Sequence, residues 1–228
     1  GFRPPQHPIV RYFAEQRWRY LASKVNLAGL RTALDVGCGD GFSTLYAPGH
    51  LQLTACDGSL TMLQRHPGAR RLQADAFRLP FRDGAFDLVF AWELLHHVSE
   101  PHQVLAEMAR VSRKWVICCE PNPINPAQFL FAWYDPAHRW VLRFSKRFMV
   151  RQAEQAGLRV THFSRGGCLF PNKTPQFVFP VLKWIPYRIP VLGISNCLIA
   201  EKADQIAHRR GLPSRDPAAD SVPRGKVA

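Results

Sequence analysis

The sequence predicts an α/β chain on a doubly wound, mostly parallel sheet, and three observations carry that prediction. Short apolar runs alternate with amphipathic stretches through the first two thirds of the chain. The first run, Thr32 to Val36, turns through Gly37-Cys38-Gly39-Asp40-Gly41 into a helix that starts at Phe42. The runs that follow close on acids, Asp57 and Asp75. In such a sheet the carboxyl ends of the strands face the ligand crevice.

The opening segment, residues 1–30, holds an amphipathic helix with Val10, Phe13, Ala14, Trp18 and Leu21 at near-helical spacing. Tyr12, Arg17 and Trp18 are placed either in the core or against a ligand. The three glycines after the first strand let the backbone take positive φ and approach a nucleotide-like ligand without a Cβ in the way. Their spacing matches neither the phosphate-gripping Gly-x-x-x-x-Gly-Lys-Ser/Thr loop nor Gly-x-Gly-x-x-Gly. Leu51 to Cys56 reads as the second strand, with Asp57 at its tip to accept from a ribose diol and Ser59 capping a helix to Arg65.

Arg70 to Ala76 reads as the third strand, and Leu79 to Ala85 as a polar turn into an apolar fourth strand. That strand exits through Ala91, Trp92 and Glu93 to the pair His96-His97. Neighbouring histidines point apart and no third ligand is spaced to join them, so no metal centre is expected. Pro101 to Arg113 is an amphipathic helix, and Trp115 to Cys119 a fifth strand ending in Glu120-Pro121-Asn122-Pro123. Aromatic, basic residues 124–145 read as a cover, followed by a helix over 146–156 stopped by Gly157 and a sixth strand from Leu158 to Phe163. Residues 165–190 hold five prolines and cannot form one regular helix. Ile194 to Ala200 closes the sheet, and residues 203–228 read as a disordered tail on a single domain spanning 1–202.

Asp-Val-Gly-Cys-Gly-Asp-Gly at 35–41, together with Leu-Pro-Phe-Arg-Asp-Gly-Ala-Phe-Asp at 79–87, resembles the class I S-adenosylmethionine-dependent methyltransferases, specifically over residues 33–120 and loosely to Lys202. The resemblance implies a Rossmann-like sheet of seven strands, the last antiparallel, with helices on both faces. It implies S-adenosylmethionine as cofactor and S-adenosylhomocysteine as product. The implied binding set is Asp35, Gly37, Cys38, Gly39, Asp57 and Gly58. Asp75, Ala76 and Phe77 would meet the adenine, and Ala91 and Trp92 would lie near the sulfonium. Such transfer needs alignment more than a reactive side chain. A hydroxyl acceptor would gain from a base, for which His97, Glu93 and Glu120 are the candidates, with Glu120 and Asn122 also as acceptor contacts. Ser112-Arg113-Lys114 stands where these enzymes usually carry a Lys-Pro-Gly-Gly turn.

The net charge of +13 is uneven, at +4 over 1–30, −1 over 31–134, +8 over 135–190 and +2 over 191–228. The basic excess therefore lies away from the glycine loop and is expected to meet a negatively charged partner. Aromatics such as Trp133, Trp140, Phe177 and Trp184 among Arg143, Lys173 and Lys183 suit a small or amphiphilic anionic acceptor, a glycosylated metabolite or lipid-linked sugar, with peripheral contact to a membrane surface. An RNA methyltransferase is the competing enzyme reading, weakened by the lack of an appended RNA-binding module. A non-catalytic cofactor-binding scaffold is the third. Six cysteines without Cys-x-x-Cys spacing read as buried free thiols of a cytoplasmic protein, and prolines and charges interrupt the apolar stretch from Phe177 to Ile194 before it could span a membrane.

Overall fold

The apolar runs become seven strands of one sheet in the computed structural model, which describes residues 3–68 and 70–202. They are β1 (Thr32–Val36), β2 (Gln52–Asp57), β3 (Arg71–Gln73), β4 (Phe86–Trp92), β5 (Ser112–Pro121), β6 (Leu158–Gly166) and β7 (Ser195–Lys202). Their order is β3-β2-β1-β4-β5-β7-β6. Strands β3 to β5 pair in parallel, and β7 runs antiparallel to both β5 and β6. The predicted doubly wound class with an antiparallel closing strand is therefore what the chain adopts; the predicted tail, 203–228, lies outside the described residues.

Side-chain alternation sorts the core into two layers. On one face Leu34, Val36, Val89, Ala91, Val116 and Cys118 pack under Val104, Leu105 and Met108 of α4 (Pro101–Val111) and Met149 and Ala153 of α6 (Lys146–Gln155). On the other, Ala33, Leu88, Phe90, Trp92, Ile117 and Cys119 lie under Ala14, Trp18 and Leu21 of α1 (Pro8–Ala22). Burial on both faces explains why the central strands read as continuous apolar runs.

Two boundaries differ from the sequence reading. β3 has three residues rather than running from Arg70 to Ala76, so Asp75 stands beyond its end in a turn; among the described residues its only strand neighbour is β2, and alternate side chains Arg71 and Gln73 face solvent. α4 stops at Val111, and Ser112-Arg113-Lys114 is the start of β5, not a turn. There Phe86 pairs with Ser112 but Leu88 with Trp115, so β5 carries one extra residue as a bulge.

The segments read as covers contain α5 (Pro126–Tyr134), a short 3-10 stretch at Pro136–Arg143, and a single turn, α7 (Phe179–Leu182). Asn122 and Asn125 fasten them to each other, donating to the carbonyls of Val191, Gly193 and Leu192. Gly193 touches the end of β6 so closely that a Cβ would stand 2.4 Å from the Gly166 backbone nitrogen. Gly193→Ala should therefore lower stability by about 1–3 kcal/mol in urea unfolding, against no more than a few tenths for Gly49→Ala, where a Cβ meets nothing.

Candidate functional site

The glycine turn between β1 and α2 (Phe42–Leu45) is locally determined, with Gly37, Gly39 and Gly41 at φ of 69°, 54° and 87°. At two of them space as well as φ excludes a side chain. A Cβ on Gly37 would lie 2.6 Å from Leu94, and one on Gly41 2.7 Å from the His66 ring. Asp35 is fully buried at the end of β1, and its Oδ2 accepts from the hydroxyls of Ser43 at 2.5 Å and Thr44 at 2.6 Å, tying strand to helix. Burial pushes its pKa up to about 7, against those two hydrogen bonds, and its Oδ1 has no partner. Cys38 is buried against Ala55 and Leu63.

Asp57, closing β2, accepts from the backbone N–H of Gly39 at 2.8 Å with one oxygen and of Ser59 at 2.8 Å with the other. Ser59 in turn caps α3 (Leu60–Arg65) through Met62. Because β3 pairs with β2 in parallel and Ala74 donates to the Asp57 carbonyl, Gly58, Asp75, Ala76 and Phe77 stand along the same edge. Asp75 is exposed and accepts from the Phe77 N–H at 2.9 Å. A glycine-lined backbone with carboxylates at successive strand ends can cradle a polar ligand rich in hydroxyl and amine donors.

The loop after β4 is organised from within. Glu93 has φ of 60°, a left-handed conformation costing a non-glycine residue about 1–2 kcal/mol. Glu120 holds it there. This fully buried carboxylate at the end of β5 accepts from the backbone of Leu94 at 3.1 Å, Leu95 at 2.7 Å and His96 at 3.4 Å, and meets His96 Nδ1 at 2.7 Å. The expectation that Glu120 and Asn122 face an acceptor is thereby corrected. Both are wholly buried and spent on the chain, Asn122 on the carbonyls of Val191 and Gly193. The Trp92 ring is buried among Trp18, Phe42 and Phe90, while Ala91 packs into the opposite layer. His97 is exposed, its ring 4.0 Å from that of His96. Partial desolvation by the protein atoms around the ring and the charge of His96 push its pKa down to about 4, which leaves a neutral imidazole at neutral pH.

Arg17 is the residue that the sequence reading undervalued. It sits on the apolar stripe of α1, fully buried, and its Nη2 donates to Glu93 at 3.0 Å and to Ser195 Oγ at 2.6 Å. Its spacing from Phe13, Ala14, Trp18 and Leu21 put a charge on a core-facing stripe, a signal open to sequence inspection.

Residues 34–118 match the family described as "Methyltransferase domain". A demethylmenaquinone methyltransferase of Renibacterium salmoninarum is 39% identical over 104 residues, 43% of this chain and 44% of that protein. A phosphatidylethanolamine N-methyltransferase of Cereibacter sphaeroides is 38% identical over 111 residues, 44% of this chain and 54% of that one. The chain spans about half the length of these curated relatives. A solved S-adenosylmethionine-dependent methyltransferase from Archaeoglobus fulgidus shares the fold, at TM-score 0.62 and 18% identity, over 84% of this chain and 94% of that one.

The His96–Glu120 contact sets a pH dependence. Burial works against the imidazolium, but the hydrogen bond and charge of Glu120, helped by Glu93, outweigh it and raise the His96 pKa. A folded-state value above the unfolded one, about 6.5, stabilises fully below that pH and is lost as pH rises through the folded-state value. As pH rises from about 6.5 through the higher folded-state value, the parent should thus lose more unfolding free energy than His96→Gln; equal losses in urea titrations would show that this imidazole carries no charge in the fold.

Proposed function

From the premise that this chain carries a methyltransferase domain on the class I S-adenosylmethionine-dependent fold, we propose that it moves a methyl group from S-adenosylmethionine to a small or amphiphilic acceptor. The observation that carries this reading is the Asp57 carboxylate, which bridges the glycine turn and the start of α3 at 2.8 Å to each. The residues fit the cofactor. Gly37 and Gly39 bare their backbone at positive φ, both Asp57 oxygens keep acceptor capacity for a ribose diol, and Asp35 Oδ1 is unpartnered. Asp75, with the backbone of Ala76 and Phe77, would take the adenine. When bound, S-adenosylmethionine supplies an electrophilic methyl group on a sulfonium; the chain's part is to align the acceptor and exclude water.

On the acceptor side the reading rests on exposed aromatic residues among basic ones. Phe129, Leu130, Trp133 and Tyr134 of α5 are 44%, 59%, 65% and 86% exposed, and Phe177 and Trp184 beside α7 are each 81% exposed. Lys173 Nζ, 5.1 Å from the Phe131 ring, bridges the two segments. Exposed apolar area of this extent, within and directly before the stretch 135–190 with a net charge of +8, suits an anionic lipid surface from which an amphiphilic acceptor is drawn. Residues 1–202 act as one unit in this reading. No described helix is long and apolar enough to cross a membrane.

Two measurements test it. Calorimetry should show S-adenosylmethionine binding to the chain and at least tenfold weaker binding to Asp57→Ala with unchanged far-UV dichroism; no heat with the parent at high protein concentration would leave the scaffold reading. Vesicles containing phosphatidylserine should bind the chain in a salt-sensitive way. Replacing Lys183 and Trp184 together by Ser should weaken that by about tenfold, since each surface cation contributes about 1 kcal/mol and the indole adds to it. Binding equal to that of neutral vesicles would remove the membrane contact.

A further inference from the structure

Three N–H bonds of the Arg17 guanidinium, one on Nε and two on Nη1, have no hydrogen-bond partner although the side chain is fully buried. Trp92 Nε1 is also buried without a partner among the described residues, and Tyr187 Oη is buried against Arg17 and Cys197. They belong to one cluster: the Trp92 ring lies 4.7 Å from the guanidinium carbon, and Tyr187 and Arg17 perturb each other's ionisation. An unpaired buried polar atom costs about 1–3 kcal/mol, so several in one place point to a ligand that pairs them. All can donate, and one carries a fixed positive charge. The complementary group is an oxyanion.

The position assigns that oxyanion to the acceptor. Arg17 is held by Glu93, just past β4, and by Ser195 of β7, which pairs with Pro121 at the end of β5. Asp57 and Asp75 belong to β2 and β3, on the other side of β1. Phe13, whose ring lies 4.3 Å from the guanidinium, and Tyr187 also line a shallow, solvent-open apolar depression with Tyr12, Gln16, Leu169 and Ile185, which encloses only about 20 Å³. An apolar body laid over that depression would direct its polar end toward Arg17.

Resting on the function proposed above, we propose that the methylated atom is an oxygen, that the acceptor is a weak oxygen acid such as a phenol or enol on an apolar body, and that Arg17 and Glu93 ionise it together. The acceptor O–H bond breaks, its electron pair stays on the acceptor oxygen, and the proton forms a new O–H bond on the Glu93 carboxylate. Protonated Glu93 gives up its claim on Arg17, whose charge then serves the oxyanion through Nε and Nη1, so the net charge of the site is unchanged. Trp92 Nε1 and Tyr187 Oη complete the cradle. Burial, opposed by Arg17 and reinforced by Glu120, raises the Glu93 pKa and favours proton uptake, and its side chain, 30% exposed, returns the proton to water.

The test uses the whole chain with S-adenosylhomocysteine and the probe 4-hexyl-2-nitrophenol, which is strongly coloured only as its phenolate. At a pH where the free probe is mostly neutral, the bound probe should be at least tenfold more ionised than in buffer. The uncharged 4-hexyl-2-nitroanisole should bind at least tenfold more weakly. Binding to the parent should release no net proton, seen as the same heat in buffers of different ionisation enthalpy, whereas with Glu93→Gln the probe's proton should appear in the buffer. Arg17→Gln should abolish the colour, and Tyr187→Phe, which keeps the ring in place if the arginine variant fails to fold, should reduce it about threefold. Equal binding of phenol and anisole, or no phenolate on the parent, would overturn the inference. So would an Arg17→Gln chain that keeps the colour and loses S-adenosylhomocysteine, since Arg17 would then serve the cofactor. Calorimetry on the parent separates the two levels: phenolate without S-adenosylhomocysteine binding removes the cofactor reading alone, and the reverse removes the Arg17 assignment alone.

Discussion

One carboxylate, Glu120, sets the geometry on which the rest depends. Placed at the end of a central strand with no access to water, it would be untenable alone, and it is satisfied only because the chain after β4 folds back to offer backbone N–H groups and His96. That capture fixes Leu94 against Gly37, which packs the glycine turn from behind. It also leaves Glu93 in its left-handed conformation, pointing at Arg17. A single buried carboxylate thus couples the glycine turn after β1 to the arginine on the inner face of α1.

The two halves of the site differ in chemistry in a way that suits two different ligands. Around β1 to β3 the free capacity is acceptor: Asp35 Oδ1, and the Asp57 and Asp75 carboxylates, each already taking backbone N–H groups. Around β4, β5 and β7 the free capacity is mostly donor, on Arg17 and Trp92, with Asn196 Oδ1 the exception among the described residues. Glu93 stands where they meet. The cover segments extend the second half outward as an apolar, basic surface, so the sequence's uneven charge corresponds to a division of labour across the sheet.

What was legible in the sequence was local. The three glycines, the Ser59 cap and the proline-broken cover depend on neighbours within a few residues, and the strand alternation depends only on which faces are buried. What was not legible depends on partners far along the chain. Glu120 looks like any acid at a strand end until Leu94 to His96, some 24 residues away or more, are seen folded onto it. Asn122 finds its carbonyls at Val191 and Gly193, and Arg17 its hydroxyl at Ser195. Asp75 reads as a strand tip because the run Arg70 to Ala76 looks extended, whereas an edge strand paired on one side ends early.

The strand order carries a further consequence for how the chain is made. β7 is the last of the seven strands among the described residues to leave the ribosome, yet it lies inside the sheet with β5 on one side and β6 on the other. Until Lys202 has emerged, β5 has an open flank and β6 has no strand beside it, so the nascent polypeptide exposes two unpaired edges during synthesis. Ser195 arrives with that strand, so Arg17, translated before any strand of the sheet, waits for its hydroxyl partner until the other six strands have been delivered.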